Sequence, residues 1–239
     1  MRILEASAGF GHDGADGLAA RSAAPERENL SQRAYTHISS RLIGGAMRPG
    51  EKLILRPLAA RLGLSPTPVR EALLRLVSEQ ALVLDDRGSA IVPVMTAEQF
   101  REMCDMRSDL EARAAERAAA AATAGEMDAL QRLCDETVTL WNDGSYQEML
   151  EANARFHRLI CRIGRSPLIQ RALEGLWIRL GPPYALALSR PVAPFARGEH
   201  PHQLMVAAFR DGNAAAAREA ALRDVRESER VISGILHSA

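Results

Sequence analysis

The stretch LGLSPTPVREALLRL, residues 62–76, constrains the chain more than any other. Gly63 stops the short helix that precedes it, and two prolines at 66 and 68 mark the mouth of the next. With Ser65 as N-cap, Pro66 takes the first helical position, where its missing N–H costs nothing and its φ is already helical. Leu64 and Val69 stand at the positions that pair as a hydrophobic staple. Pro68 removes a further amide from the first turn, so the Ser65 hydroxyl is expected to cap the N–H of Thr67. Val69, Leu73, Leu76 and Val77 form a buried stripe, and Thr67, Arg70 and Leu74 lie on another face.

The flanking residues complete a recognisable unit. Ala34, Ile38, Leu42 and Ile43 make a helical stripe that Gly44, Gly45, Pro49 and Gly50 end. A short helix runs from about Arg56 to Leu62, and the helix that opens at Pro66 reaches about Glu79. ALVLDDRGSAIVPV then reads as two apolar runs around a polar Asp85–Ser89 turn, a two-stranded hairpin. Three short helices and a hairpin predict a winged helix-turn-helix over residues 29–94. Such folds read bases with the N-terminal end of the second helix of the motif. A hydroxyl, a guanidinium and a helix N-terminus there suit phosphate and guanine contacts.

The second half reads differently. Thr96 with Gln99 forms a capping box, opening a long helix to about Thr123, with Gly125 as its breaker. Further helices are expected to about Trp141, over Tyr146–Ile163, Leu168–Leu180, His202–Arg210 and Ala214–Leu236. GPPYALALSRPVAPFARGEHPH reads as irregular. The expectation for 95–237 is an antiparallel bundle of six or seven helices with no strands, so the chain is mainly α. Aromatic residues make up only 4% of the chain, and alanine is abundant, which favours helices over sheets. The first 28 residues, rich in Gly, Ala and acidic side chains, read as a disordered tail.

Charge and cysteines narrow the class. Thirty basic side chains balance thirty acidic ones, which argues against a wholly basic nucleic-acid wrapper. Locally, Arg41, Arg48, Lys52, Arg56, Arg61, Arg70 and Arg75 crowd the N-terminal part, whose partner would be anionic. Cys104, Cys134 and Cys161 are widely spaced and read as reduced thiols of a cytoplasmic protein. No run of about 18 apolar residues exists, so no membrane span is expected.

MRPGEKL, LAARLGLSPTPVREALLRL and DDRGSAIV resemble the GntR family of bacterial transcription regulators, over nearly all of Leu30–Pro93. The resemblance implies that Arg56, Thr67 and Arg70 touch DNA, that Ser65 assists, and that the wing at Arg87–Gly88 enters the minor groove. Pro66 stands where the family usually has arginine, and losing one phosphate contact shrinks the salt slope by about one unit.

MRSDLEARAAERAA, NARFHRLI and EHPHQLMVAAFRDGNAAAA resemble the FadR subgroup, whose helical effector domain is called FCD, over roughly Thr96–Leu236. That resemblance implies a divalent metal in the bundle centre with an organic acid over it. The ligands are usually Asp or Asn four before a His, then two further His. Asn153 and His157 are four apart and share one helix face. His202 opens a later helix, and twenty-two residues beyond it, where a third histidine is usual, stands Asp224. The candidate ligands are Asn153, His157, His202 and Asp224, a set that suits Zn, Ni, Mn or Fe. His200 is an alternative to His202, and a slip of one residue replaces Asp224 with Val225. Cys161, one turn after His157, lines the cavity or is a small buried residue. Arg107 pairs an effector carboxylate or bridges to Glu111 one turn away. Trp177 and Tyr184 wall the pocket or belong to the core.

The expected function is that of a homodimeric, cytoplasmic transcription regulator, not an enzyme. It binds an inverted-repeat DNA operator, because a symmetric dimer demands a symmetric site. A small carboxylate metabolite shifts the placement of its winged domains, and repression is the commoner mode in the family. Two other classes stand beside this one. One is a metal-dependent hydrolase or lyase built on His157 and His202, which leaves the winged domain unexplained. The other is a DNA-binding dimer with no effector.

Overall fold

The computed structural model describes residues 23–188 and 200–236. The first unit comprises α1 (Ala23–Ile43), β1 (Lys52–Leu53), α2 (Leu55–Leu62), α3 (Pro66–Ser78), β2 (Val83–Leu84) and β3 (Ala90–Ile91). Ile38, Leu42, Leu58, Val69, Leu73, Leu76, Leu82 and Val92 close its core. The apolar stripes of α1 and α3 therefore face each other, and α2 covers one end of α3. This is a winged helix-turn-helix.

Several local expectations change. The expected tail of residues 1–28 becomes helical from Ala23, and residues 1–22 lie outside the described residues. The hairpin gains a third strand: β1 pairs antiparallel with β3, Lys52 opposite Ile91, giving the order β1-β3-β2. Two residues are too few to show a period of two in the sequence. The Ser65 side chain makes no capping hydrogen bond, which corrects the expected cap on Thr67. Ser65 is extended and exposed, so water competes for its hydroxyl. The helix start is held instead by the two prolines and by Leu64, which packs on the core.

The second unit contains six described helices: α4 (Ala97–Ala119), α5 (Ala124–Asn142), α6 (Tyr146–Ile163), α7 (Pro167–Leu188), α8 (Pro201–Arg210) and α9 (Ala214–Leu236). The Thr96 hydroxyl accepts from the Gln99 N–H at 3.2 Å, and the Gln99 carbonyl oxygen accepts from the Thr96 N–H at 3.0 Å. Such a cap contributes about 1 kcal/mol. A second capping box, Thr123 with Glu126, starts α5. Thus α4 ends at Ala119 rather than near Thr123, and Gly125 sits inside α5 rather than breaking a helix. The most extensive contact of the molecule joins α4 to α9. Both helices bury alanines, among them Ala112, Ala115, Ala118, Ala217 and Ala221. Small side chains there let the helix axes approach closely.

The largest departure is α7. It was expected to end near Leu180, yet it runs through Pro182 and Pro183 to Leu188. Each proline withholds a donor from the carbonyl four residues back. Tertiary contacts beyond the prolines hold the helix. Tyr184 is buried, its ring lies 6.0 Å from that of Phe100, and its hydroxyl is anchored by Arg107. The rest of the stretch read as irregular, 189–199, lies outside the described residues. Among the described residues no helix is long and apolar enough to cross a membrane.

Candidate nucleic-acid interface and buried polar centre

Arg56 opens α2, and Ser65, Thr67 and Arg70 surround the start of α3; all four are exposed. Leu74, one turn after Arg70, is 50% exposed although apolar. Arg87 and Gly88 form the wing tip, where Gly88 has φ 75°, a left-handed conformation suited to glycine. Asp85 shapes this tip. Its Oδ1 accepts from the backbone N–H of Arg87 at 3.0 Å and of Ser89 at 2.7 Å. The Lys52 ammonium bonds its other oxygen, and these contacts hold the Asp85 carboxyl below its ordinary pKa.

Two basic side chains of this unit are held by carboxylates. Lys52 is paired with Asp85, and Arg75 with Glu79 at 3.0 Å, its guanidinium lying 3.7 Å over the Tyr35 ring. Among the described residues Arg33, Arg41, Arg48 and Arg61 enter no salt bridge, and neither do Arg56, Arg70 and Arg87. Neighbouring carboxylates therefore leave the charge of these last three uncompensated at the face formed by α2, α3 and the wing.

The helical unit encloses a second constellation. Helix α4 contributes Arg107 and Glu111, α6 contributes Asn153 and His157, and α7 contributes Trp177 and Tyr184. His200 caps α8, His202 lies in its first turn, and α9 supplies Asp224. One metal-binding atom from each of His157, His202 and Asp224 lies within 4.8 Å of the others, and all three residues are buried. His157 Nε2 is 3.4 Å from Asp224 Oδ2, and His202 Nε2 is 3.5 Å from Asp224 Oδ1. Neither Nε2 has a partner with hydrogen-bond geometry. The Phe156 ring stacks on His202 with centroids 4.2 Å apart.

Burial favours the uncharged ring and pushes His202 well below its ordinary pKa; His200 shifts the same way for the same reason. Burial of Asp224 favours its neutral form, yet His202, His157 and Arg107 around it hold it below the usual carboxylate range. A carboxylate beside two imidazole nitrogens is a donor set that fits a divalent cation, and the two unpartnered nitrogens are what such an ion would satisfy.

Of the open alternatives, His202 joins the cluster, while His200 uses Nδ1 to accept the His202 backbone N–H at 3.2 Å. Asp224 faces the cluster, and Val225 belongs to the apolar core. Asn153 is half-buried and lines the same cavity, as do Trp177 and Tyr184. Cys161 is buried but is not among the lining residues. Arg107 makes the bridge to Glu111. It lines the cavity, and its Nε donates to Glu111 Oε1 at 2.7 Å, its Nη1 to the Tyr184 hydroxyl at 2.6 Å and its Nη2 to Asp224 Oδ2 at 3.4 Å.

Sequence reasoning missed the centrality of Glu111. Its Oε1 also accepts from Trp177 Nε1 at 2.8 Å, and its Oε2 lies 3.5 Å from His157 Nδ1. A carboxylate one turn from an arginine signals a surface pair in most helices, and nothing local distinguishes this one.

Residues 30–92 match the bacterial regulatory proteins of the gntR family, and residues 102–227 match the FCD domain. The HTH-type transcriptional regulator McbR of Escherichia coli is 33% identical over 154 residues, 64% of this chain and 70% of that protein. An uncharacterized HTH-type regulator of Bacillus subtilis, YdhC, is 28% identical over 59% of this chain and 63% of its own. The solved structure of E. coli McbR/YncC superimposes with a TM-score of 0.77 at 29% identity, covering 87% of this chain and 97% of that one. With an arginine-bearing winged unit before a helical unit that encloses histidines and a carboxylate, the chain belongs to the GntR family of transcriptional regulators and carries a C-terminal FCD domain.

Proposed function

We propose that this regulator is a homodimeric repressor of the FadR subgroup, released from its operator by a small organic acid bound over a divalent metal in the FCD cavity. The observation that carries the reading is the buried trio His157, His202 and Asp224, with both Nε2 atoms unpartnered. Asn153 adds a neutral oxygen donor from the cavity wall. Zn, Ni and Mn suit two imidazoles and a carboxylate, with positions left for an acid. Such an ion fixes and polarises a chelating carboxylate. Arg107 meets a carboxylate of the same acid, since its guanidinium already faces the cavity. The cavity has a volume of about 80 Å³, which suits a small metabolite rather than a long chain.

At the operator, a double-stranded inverted repeat, the α3 N-terminus enters the major groove. Thr67 and Arg70 meet bases and phosphates, Ser65 and Arg56 hold the backbone, and Arg87 with Gly88 reaches the minor groove. Arg56, Arg70 and Arg87, exposed on this face and in no salt bridge among the described residues, support this assignment. The protein acts in the cytoplasm by binding, not by turnover. An acid changes DNA affinity only through different affinity for the two arrangements of the winged domains.

The test is thermal unfolding of chelator-stripped protein, alone and with Zn, Ni or Mn, for wild type and His157→Ala. A ligand that binds only the folded state raises the midpoint with its concentration. A rise in wild type that vanishes in the variant supports the reading. An unchanged wild-type midpoint with all three ions removes the metal from it.

A further inference from the structure

The imidazole of His157 lies between two carboxylates. Its Nδ1 is 3.5 Å from Glu111 Oε2 and its Nε2 is 3.4 Å from Asp224 Oδ2. An imidazole that ligates a metal has one N–H and offers its other nitrogen's lone pair to the ion, so it can donate to only one of these oxygens. The other nitrogen then faces its oxygen lone pair to lone pair, with the ion between them.

The surroundings decide which side takes the proton. Glu111 Oε1 is saturated by two donors, Arg107 Nε at 2.7 Å and Trp177 Nε1 at 2.8 Å. These fix the carboxylate in place and leave Oε2 buried with no partner of hydrogen-bond geometry. On the Glu111 side no other imidazole approaches, and Oε2 requires a donor. On the Asp224 side a second unpartnered imidazole nitrogen, His202 Nε2, converges on the same carboxylate. Each nitrogen faces its own oxygen of Asp224, a convergence that suits a cation held by both lone pairs, whereas Glu111 Oε2 faces His157 Nδ1 and has no other partner.

We infer that Glu111 is the positioning residue of the metal centre: its Oε2 accepts from the His157 Nδ1–H and so turns the Nε2 lone pair toward the ion beside Asp224 and His202. This rests on the metal reading above. A carboxylate behind a ligating histidine fixes its tautomer and orientation and raises its basicity, and losing one typically costs 10–100-fold in metal affinity. Here the same carboxylate also orients Arg107, so one buried residue supports both the metal ligand and the group assigned to the acid.

The experiment uses Zn²⁺ alone on the full-length, chelator-stripped protein. Zn²⁺ affinity is measured by competition with a chelator for wild type and Glu111→Gln, and the imidazole nitrogens of the Zn²⁺-loaded wild type are read by NMR. The expected results are a slowly exchanging His157 ring proton on Nδ1, and affinity lowered 10–100-fold in Glu111→Gln. In that variant's Zn²⁺ complex the ring proton exchanges faster. A wild-type complex with the proton on Nε2, or a Glu111→Gln variant with unchanged affinity, overturns the inference and leaves the metal reading standing. Where wild type takes no Zn²⁺ while Ni or Mn raises its midpoint, affinity for that ion is compared instead, and an unchanged value in Glu111→Gln overturns the inference. Wild type that takes none of the three ions overturns both. The wild-type spectrum decides the inference even where Glu111→Gln fails to fold.

Discussion

A side chain on Gly181 would place its Cβ 1.9 Å from the carbonyl oxygen of Leu42, so α7 and α1 approach as closely as backbone permits. One residue beyond Leu42, Ile43 lines the FCD cavity, as does Gly181 itself. The helix that buries α3 of the winged unit therefore also walls that cavity. Gly181→Ala is expected to lower stability by about 3 kcal/mol, because the clash is with backbone and neither helix has room to yield. Urea unfolding of wild type and variant checks it, and coincident midpoints would show that α1 is not seated on α7.

The arginines of the winged unit are not equivalent. Arg70→Ala should weaken operator binding and reduce the slope of log K against log salt by about one unit, as removal of one phosphate contact does. Arg75→Ala should leave that slope unchanged, since Glu79, Gln32 and the Tyr35 ring already hold its guanidinium. Binding titrations at three salt concentrations separate the two. Equal slopes for the two variants would contradict the assigned face.

Asp224→Asn tests the cluster from the carboxylate side. The substitution keeps the shape but removes the negative charge between His157, His202 and Arg107. At an ion concentration of about 100 times Kd, wild type should gain about 2.7 kcal/mol of stability from the metal. The variant should gain little of it, which calorimetry with and without a chelator measures. A full gain in the variant would remove Asp224 from the ligand set.

Tyr35 reports on the α1–α3 packing through pH. Its hydroxyl donates to Glu79 Oε2 at 2.7 Å, and burial together with that carboxylate raises its pKa from 10.0 to about 12. A folded-state value above the unfolded one means the folded protein holds this proton more tightly. The stabilisation is fully present below the unfolded pKa, near 10, and is lost as pH rises through about 12. Between those values wild type should lose stability more steeply than Tyr35→Phe. Denaturant midpoints measured across the window for both proteins test this, and parallel curves would count against the Tyr35–Glu79 hydrogen bond.

What the sequence determined by itself is what depends on near neighbours. Pro66 and Gly63 set the ends of α3 and α2, because a missing N–H and a left-handed residue act within one turn. Thr96 with Gln99 starts α4 for the same reason, and the spacing of Ile38 and Leu42 or of Val69, Leu73 and Leu76 marks the buried faces. The Thr123–Glu126 box carried an equally local signal that went unread beside Gly125. The resemblance extended this to the family and to His157 and Asp224 as candidates. Only the tertiary structure decided the rest. It carried α7 through Pro182 and Pro183, since contacts by Tyr184 outweigh two lost hydrogen bonds. It paired β1 with β3, a match made across nearly forty residues. It chose His202 over His200 and Asp224 over Val225, and it made Glu111 a hub for Arg107, Trp177 and His157. These outcomes depend on which side chains four different helices bring to one point in a medium without water, where each polar atom must find its partner from another part of the chain.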